Sequence, residues 1–191
     1  MGKNNRLLQI LFLLGGLSAG LGLGLLILLF LRSDRPVQER LDLAQAGSLP
    51  AAPKAGSPAP DFELETLNGQ QLRLEDLRNS PVVINFWATW CIPCEAEMPL
   101  LQESYTRYPE LEILAVNFAE TSATVQTFVD KHDLSFEILL DPRALVQNLY
   151  RVRGYPTTYF VDEDGLIQAV HIGVLNQRQL DKYLEQIGVG G

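Results

Sequence analysis

Phe86-Trp87-Ala88-Thr89-Trp90-Cys91-Ile92-Pro93-Cys94 holds both cysteines of the chain, two residues apart and directly after the apolar run Val82 to Trp87. A Cys-x-x-Cys pair that leaves a strand and opens a helix can close a disulfide within one turn. The exposed N–H groups and dipole of the helix N-terminus then favour the thiolate of the first cysteine. That is redox chemistry. With no third cysteine, no other disulfide competes within the chain. Structural zinc would need two further ligands, and the only histidines, His132 and His171, are isolated and far apart. Covalent haem attachment would need His after the second cysteine, where Glu95 stands. A permanent structural disulfide is the remaining reading, but so short a closed loop adds little entropic stabilisation. Redox activity is therefore preferred.

Outward from this stretch, Val82 to Trp87 reads as a buried strand behind Pro81, and Cys91 to about Tyr108 as a helix that Pro99 should kink. Leu111 to Phe118 gives a second buried strand, and Thr121 or Ser122 caps a helix to about His132. Phe136 to Leu140 is a third strand. Asp141 and Pro142 have the chemistry of an N-cap and first helical residue, and predict a helix to about Arg151. Thr157 to Val161 and Leu166 to Ile172 flank Asp162-Glu163-Asp164-Gly165, a hairpin signal. Asn176 caps a last helix whose Leu180, Tyr183, Leu184 and Ile187 share a face, ended by Gly188. Strands separated by helices and closed by a hairpin predict an α/β fold with a mixed sheet covered on both faces.

Upstream the chain changes character. Leu7 to Leu31 is a run of 25 residues without a formal charge, which as a helix would extend about 37 Å and span a bilayer. A cleaved signal has a shorter apolar core followed closely by a small-residue site, and Ala44-Gln45-Ala46 lies well beyond the run, so an uncleaved anchor is expected. Gly16, Gly20 and Gly24 form a small-residue face that could pack another helix, although glycine is common in membrane spans. Basic residues on both sides of the span leave the positive-inside count undecided. Long downstream domains cross regardless of such charges, and a tethered dithiol suits an oxidising space, so the expected location is the cell membrane, single-pass, with the catalytic domain on the extracytoplasmic side. The expected organisation is an anchor over 1–35, a Pro/Ala-rich linker over 36–57 and one domain over 58–191. The linker's prolines stiffen it and hold the domain clear of the bilayer.

Of 15 Lys plus Arg and 23 Asp plus Glu, four bases but only one acid precede residue 36. The remainder is strongly acidic, which excludes nucleic acid as a partner and otherwise describes a solvated surface.

Asn85 to Pro99 (NFWATWCIPCEAEMP) and Gly154 to Asp162 (GYPTTYFVD), with Pro58-Ala59-Pro60-Asp61-Phe62 upstream, resemble the thioredoxin superfamily, specifically its membrane-anchored TlpA/ResA/CcmG type. The resemblance covers roughly residues 56 to 188, and the helix read between the second and third strands resembles that type's central insertion. It implies a thioredoxin-like fold and a thiol-disulfide oxidoreductase. Cys91 matches the exposed attacking cysteine, Cys94 the resolving one, and Pro156 the cis-proline facing the disulfide. Pro156 would leave the backbone of Tyr155 free to pair with an extended substrate. Trp87 is expected in the core, and Trp90, Tyr155 and Thr157 facing substrate. Where thioredoxin has a buried aspartate the chain has Asn85, which takes no proton. Glu97, one turn beyond Cys94, matches the glutamate of the ResA pattern and, if buried, would exchange a proton with Cys94; the alternative is an exposed helix carboxylate.

The resemblance further implies reduction of protein disulfides in cytochrome c maturation, apocytochrome c as a substrate and a membrane donor for re-reduction. No flavin or nicotinamide motif is present, so no cofactor is expected. Ile92 and Pro93 place no cation between the cysteines, and Glu95 and Glu97 add negative charge, which favours a reducing role. Three other readings stand beside it: a general envelope disulfide reductase or isomerase, a peroxiredoxin-like antioxidant and a non-catalytic tethered adaptor. A peroxiredoxin would need Thr three residues before its reactive cysteine, where Ala88 precedes Cys91.

Overall fold

The computed structural model describes residues 52–190. The apolar run Leu7–Leu31 and all but the end of the linker lie outside the described residues. Among those described, no helix is long and apolar enough to cross a membrane.

The domain is built on β1 (Glu63–Thr66), β2 (Gln71–Arg73), β3 (Val82–Trp87), β4 (Glu112–Phe118), β5 (Glu137–Asp141), β6 (Thr157–Val161) and β7 (Ile167–Ile172). Its helices are α1 (Ile92–Arg107), α2 (Ser122–Lys131), α3 (Leu145–Leu149) and α4 (Gln177–Gln186), with a 3₁₀ turn over Leu74–Leu77. The strands form one sheet in the order β2-β1-β5-β4-β3-β6-β7. β3, β4 and β5 are parallel, as their helical crossovers require, whereas β6 runs antiparallel to β3, β7 antiparallel to β6 and β1 antiparallel to β5.

β3 is buried along its whole length, and its two-residue period divides it between two cores. Val83 and Trp87 pack with Met98 and Leu101 of α1, Phe128 of α2 and Leu180 and Leu184 of α4. Val82, Ile84 and Phe86 face the other way, onto Phe62, Val146, Tyr150 and Tyr159. Asn85, between Val83 and Trp87, therefore belongs to the α1 face. So does Thr158, which sits opposite Asn85 in β6.

The strand and helix expectations around this centre hold to within a residue or two, and Trp87 is fully buried as expected. α1 continues through Pro99. Asn176 caps α4 with a reciprocal Gln179 bond. Gly188 (φ 86°) closes the helix by letting Val189 N–H reach the Leu184 carbonyl at 3.0 Å.

Two regions differ from expectation. The hairpin β1–β2 is an addition to the expected elements: Leu64, Thr66 and Leu72 alternate with polar residues around Asn68-Gly69, and Gly69, at φ 79°, makes the turn. The helix expected to start at Pro142 starts at Leu145 instead. Asp141 is not its N-cap but the buried last residue of β5, and its carboxylate accepts N–H groups from Leu145 (2.8 Å) and Gln147 (3.0 Å) across an intervening turn. Capping chemistry is right, but the cap spans four residues because Ala144 bends into the left-handed region at φ 55°.

Those two charge-assisted bonds stabilise α3. Asp141→Ala should lower unfolding free energy by about 2–3 kcal/mol, measured by urea titration; a loss below about 0.5 kcal/mol, within the range of ordinary surface substitutions, would show that α3 is held by packing alone.

Candidate active site

β3 ends at Trp87, Ala88 to Trp90 turn the chain, and Cys91 becomes the N-cap of α1 in extended conformation (φ −87°, ψ 97°). Ile92 and Pro93 open the helix, where a proline's missing N–H costs nothing. The Cys94 amide donates to Cys91 Sγ at 3.2 Å, so sulfur occupies the place an N-cap oxygen normally fills. A donor and a helix N-terminus both aimed at Cys91 favour its thiolate. The two cysteines are disulfide-bonded with Cα atoms 5.2 Å apart. Cys91 retains 5% exposure and Cys94 none; the cysteine expected to attack is the more accessible of the pair, though only narrowly.

The loop between α3 and β6 carries a cis Tyr155–Pro156 peptide. Pairing of Phe86 with Thr157 brings this proline to the end of β3 from which the cysteine loop leaves, and Gly173 N–H donates to the Pro156 carbonyl at 2.9 Å. Trp90 is 60% exposed; its ring meets Tyr155 edge-on at 5.7 Å and Phe118 at 6.5 Å. Thr157, expected to face substrate, is buried. Its hydroxyl donates to the Gly154 carbonyl at 2.8 Å, so the side chain steadies the proline loop from inside.

Glu97 lies one turn along α1 from Cys94 and is fully buried; it is not an exposed helix carboxylate. One oxygen accepts the Asn85 amide at 2.8 Å and the other the Leu175 N–H at 2.9 Å. Asn85 also donates to Thr158 at 3.0 Å. Burial dominates these two donors and pushes the carboxyl up to about 7. Glu95, two residues earlier, points to solvent and pairs with Lys131 at 2.9 Å and His132 at 3.0 Å. The Lys131 hydrogen bond, then its charge, hold Glu95 below the usual carboxylate range. The expectation that both acids place free negative charge by the sulfurs is corrected accordingly. Glu95 is compensated by a cation from α2, and Glu97 is charged only as pH rises past neutrality.

Glu120 was not singled out from sequence. Its carboxylate accepts Thr89 N–H at 2.7 Å, the Thr89 hydroxyl at 2.5 Å and the Asn117 amide at 2.8 Å. Ala119, left-handed at φ 52°, turns the chain after β4 so that Glu120 comes back to the cysteine loop. The sequence signal is slight: an acid just past a strand's C-terminal end.

A cysteine pair at the head of a helix, a cis-proline loop brought beside it and a mixed sheet of this order define a thioredoxin-like thiol-disulfide oxidoreductase. The AhpC/TSA family matches residues 55–170. The thiol-disulfide oxidoreductase ResA of Geobacillus kaustophilus is 41% identical over 134 residues, 69% of this chain and 77% of that protein. The thioredoxin-like protein YneN of Bacillus subtilis is 40% identical over 134 residues, 68% and 78% of the two chains. Among solved structures, StoA of Bacillus subtilis superposes with TM-score 0.58 at 27% identity, over 66% of this chain and 96% of its own. A secreted Mycobacterium tuberculosis disulfide oxidoreductase homologous to Escherichia coli DsbE does so with TM-score 0.60 at 26% identity, over 65% and 94%. The chain belongs to the AhpC/TSA family and, within it, groups with the ResA-type thiol-disulfide oxidoreductases.

Burial of Glu97 links stability to pH. Its carboxyl ionises near 4.5 when unfolded and near 7 when folded, so the native state holds the extra proton between those values. The resulting stability is complete below about 4.5 and is lost as pH rises through 7. Glu97→Gln, which cannot ionise, should gain on the wild type by about 3 kcal/mol between pH 4 and pH 8 in urea unfolding; a constant difference across that range would mean the carboxylate is not desolvated.

Proposed function

We propose that this chain is a membrane-tethered, extracytoplasmic reductant of protein disulfides serving cytochrome c maturation, anchored by residues 1–35, spaced by 36–57 and catalytic over 58–191. The observation that carries the chemistry is Glu97: a fully buried carboxyl on the Cys94 face of α1, titrating near neutrality. The membrane part rests on Leu7–Leu31, and the cytochrome part on the resemblance of residues 85–99 and 154–162 to the TlpA/ResA/CcmG type.

In the reduced chain the Cys91 thiolate attacks one sulfur of a substrate disulfide. That S–S bond breaks, a mixed disulfide forms, and the departing sulfur leaves as thiolate and takes a proton from water. Cys94 passes its thiol proton to ionised Glu97 and attacks the Cys91 sulfur. The mixed disulfide breaks, and the second substrate thiolate takes up the proton Glu97 received. Two electrons have moved from the dithiol to the substrate, leaving Cys91–Cys94 oxidised. Asn85 serves Glu97 in both states, since a half-turn of its amide exchanges donor for acceptor. Trp90 and the Tyr155 backbone flank the substrate, with Pro156 opposite the sulfurs.

Apocytochrome c is the substrate and a membrane dithiol donor restores the reduced form. Direction follows from the motif: Ile92 and Pro93 supply no cation, and Lys131 is engaged by Glu95. The thiolate is stabilised by the helix terminus and the Cys94 amide, with no side-chain cation, which places the potential nearer thioredoxin, about −270 mV, than DsbA, about −120 mV.

Glu97→Gln should slow resolution of the mixed disulfide by at least about 100-fold and abolish the rate inflection near pH 7, followed by acid-quenched single turnover. Glu95→Gln should change either less than about twofold. Equal, small effects would remove Glu97 from the proton path.

Topology and direction are tested together by adding a membrane-impermeant maleimide to intact spheroplasts of the host. Cys91, the accessible member of the pair, should be labelled. Labelling only after lysis would put the domain inside the cell, and labelling only after added reductant would make the chain an oxidant.

A further inference from the structure

Gln147 is buried in the five-residue helix α3, beside Val146 and Tyr150 of an apolar cluster. Its backbone is fully used: the N–H donates to Asp141 and the carbonyl accepts from Val152, each at 3.0 Å. Its side-chain nitrogen has no partner among the described residues. An unpaired buried donor is destabilising, a penalty that a methionine of similar volume would avoid. Among the described residues, the one bond the side chain makes is from the Tyr155 hydroxyl to its oxygen. Burial, reinforced by the Asp141 charge, pushes that hydroxyl up to about 12, so it remains a donor throughout the working range.

Tyr155 is the residue before cis-Pro156. Its ring lies 5.4 Å from Phe118 and 5.7 Å from Trp90. Trp90 is mostly exposed, and these two rings are its aromatic contacts among the described residues. The Trp90 ring is therefore seated by Tyr155, and Tyr155 is anchored at its far end by Gln147. A continuous path runs from the end of β5 through Asp141, Gln147 and Tyr155 to the residue before Cys91.

We infer that Gln147 is a positioning residue for exchange with protein disulfides: by holding the Tyr155 hydroxyl it fixes the Tyr155–Trp90 edge over which a polypeptide must lie to bring its disulfide to Cys91. The inference deepens the disulfide-reductase reading of the same site. A small disulfide reaches the Cys91 sulfur without covering that edge. Affinity for polypeptide disulfides is thus sensitive to Gln147, whereas the chemical step is not.

The test uses the full chain, reduced, in single-turnover reaction with insulin and with oxidised glutathione. Gln147→Met should raise the insulin concentration for half-saturation about fivefold, the equivalent of one ordinary hydrogen bond of about 1 kcal/mol. The limiting rate and the rate with glutathione should move less than about twofold. Tyr155→Phe should raise the insulin value by the same factor, and the double variant by no more, because both remove one contact. Trp90 fluorescence, read against the buried Trp87, should become more open to acrylamide in Gln147→Met. Additive effects of the two single variants, equal losses with insulin and glutathione, or unchanged insulin saturation would each overturn the inference. If the wild type itself reduces neither disulfide, the proposed function fails instead.

Discussion

One buried carboxyl organises this domain. Glu97 sits between α1 and the sheet with two donors, Asn85 from β3 and Leu175 from the segment leading to α4. Those donors are too few to hold it fully ionised near neutrality, since burial outweighs them. A fully paired carboxylate would be structurally better and chemically inert, because its pKa would fall far below working pH. The same bond to Leu175 N–H also ties the chain after β7 to the centre of the site. The structural role and the proposed chemical one thus meet in one group, and each limits the other: more donors would stabilise the anion and remove the proposed proton exchange.

The sheet explains why these parts converge. β3 and β4 are parallel and adjacent, so their C-terminal ends lie together, the usual place for a site in such sheets. The cysteine loop leaves β3, and Glu120 follows β4 and reaches back to Thr89. β6, antiparallel on the other side of β3, begins at this end and delivers Pro156. Three connections with no sequence continuity therefore share one edge, and the carboxylate of Glu120 joins two of them directly.

How much of this was legible depends on range. The cysteine pair, the core strands, the cap of α4 and the placement of Trp87 follow from local pattern, where period and capping chemistry act over a few residues. Asp141 shows the boundary. Its residue type announces a cap, but the left-handed Ala144 that lets it cap from four residues away has no local signature. Glu120 and Gln147 act across 31 and 8 positions of sequence, and nothing in their neighbours marks them. Thr157 was misplaced for a related reason: both faces of β6 are covered, and the covering comes from elements distant in sequence.

Glu95 and Glu97 make the strongest case that composition near a motif is a poor guide to charge. They are two residues apart on one helix, so roughly opposite in azimuth. One faces α2 and is fixed as an anion by Lys131; the other faces the sheet and holds its proton to near neutrality. Counted from sequence, they are two charges beside the sulfurs. Placed by the helix, they become a neutralised surface pair and a buried group that changes charge near neutral pH. The electrostatic environment of Cys91 is then set by the helix terminus and the Cys94 amide, with Glu97 entering only in the proposed proton transfer.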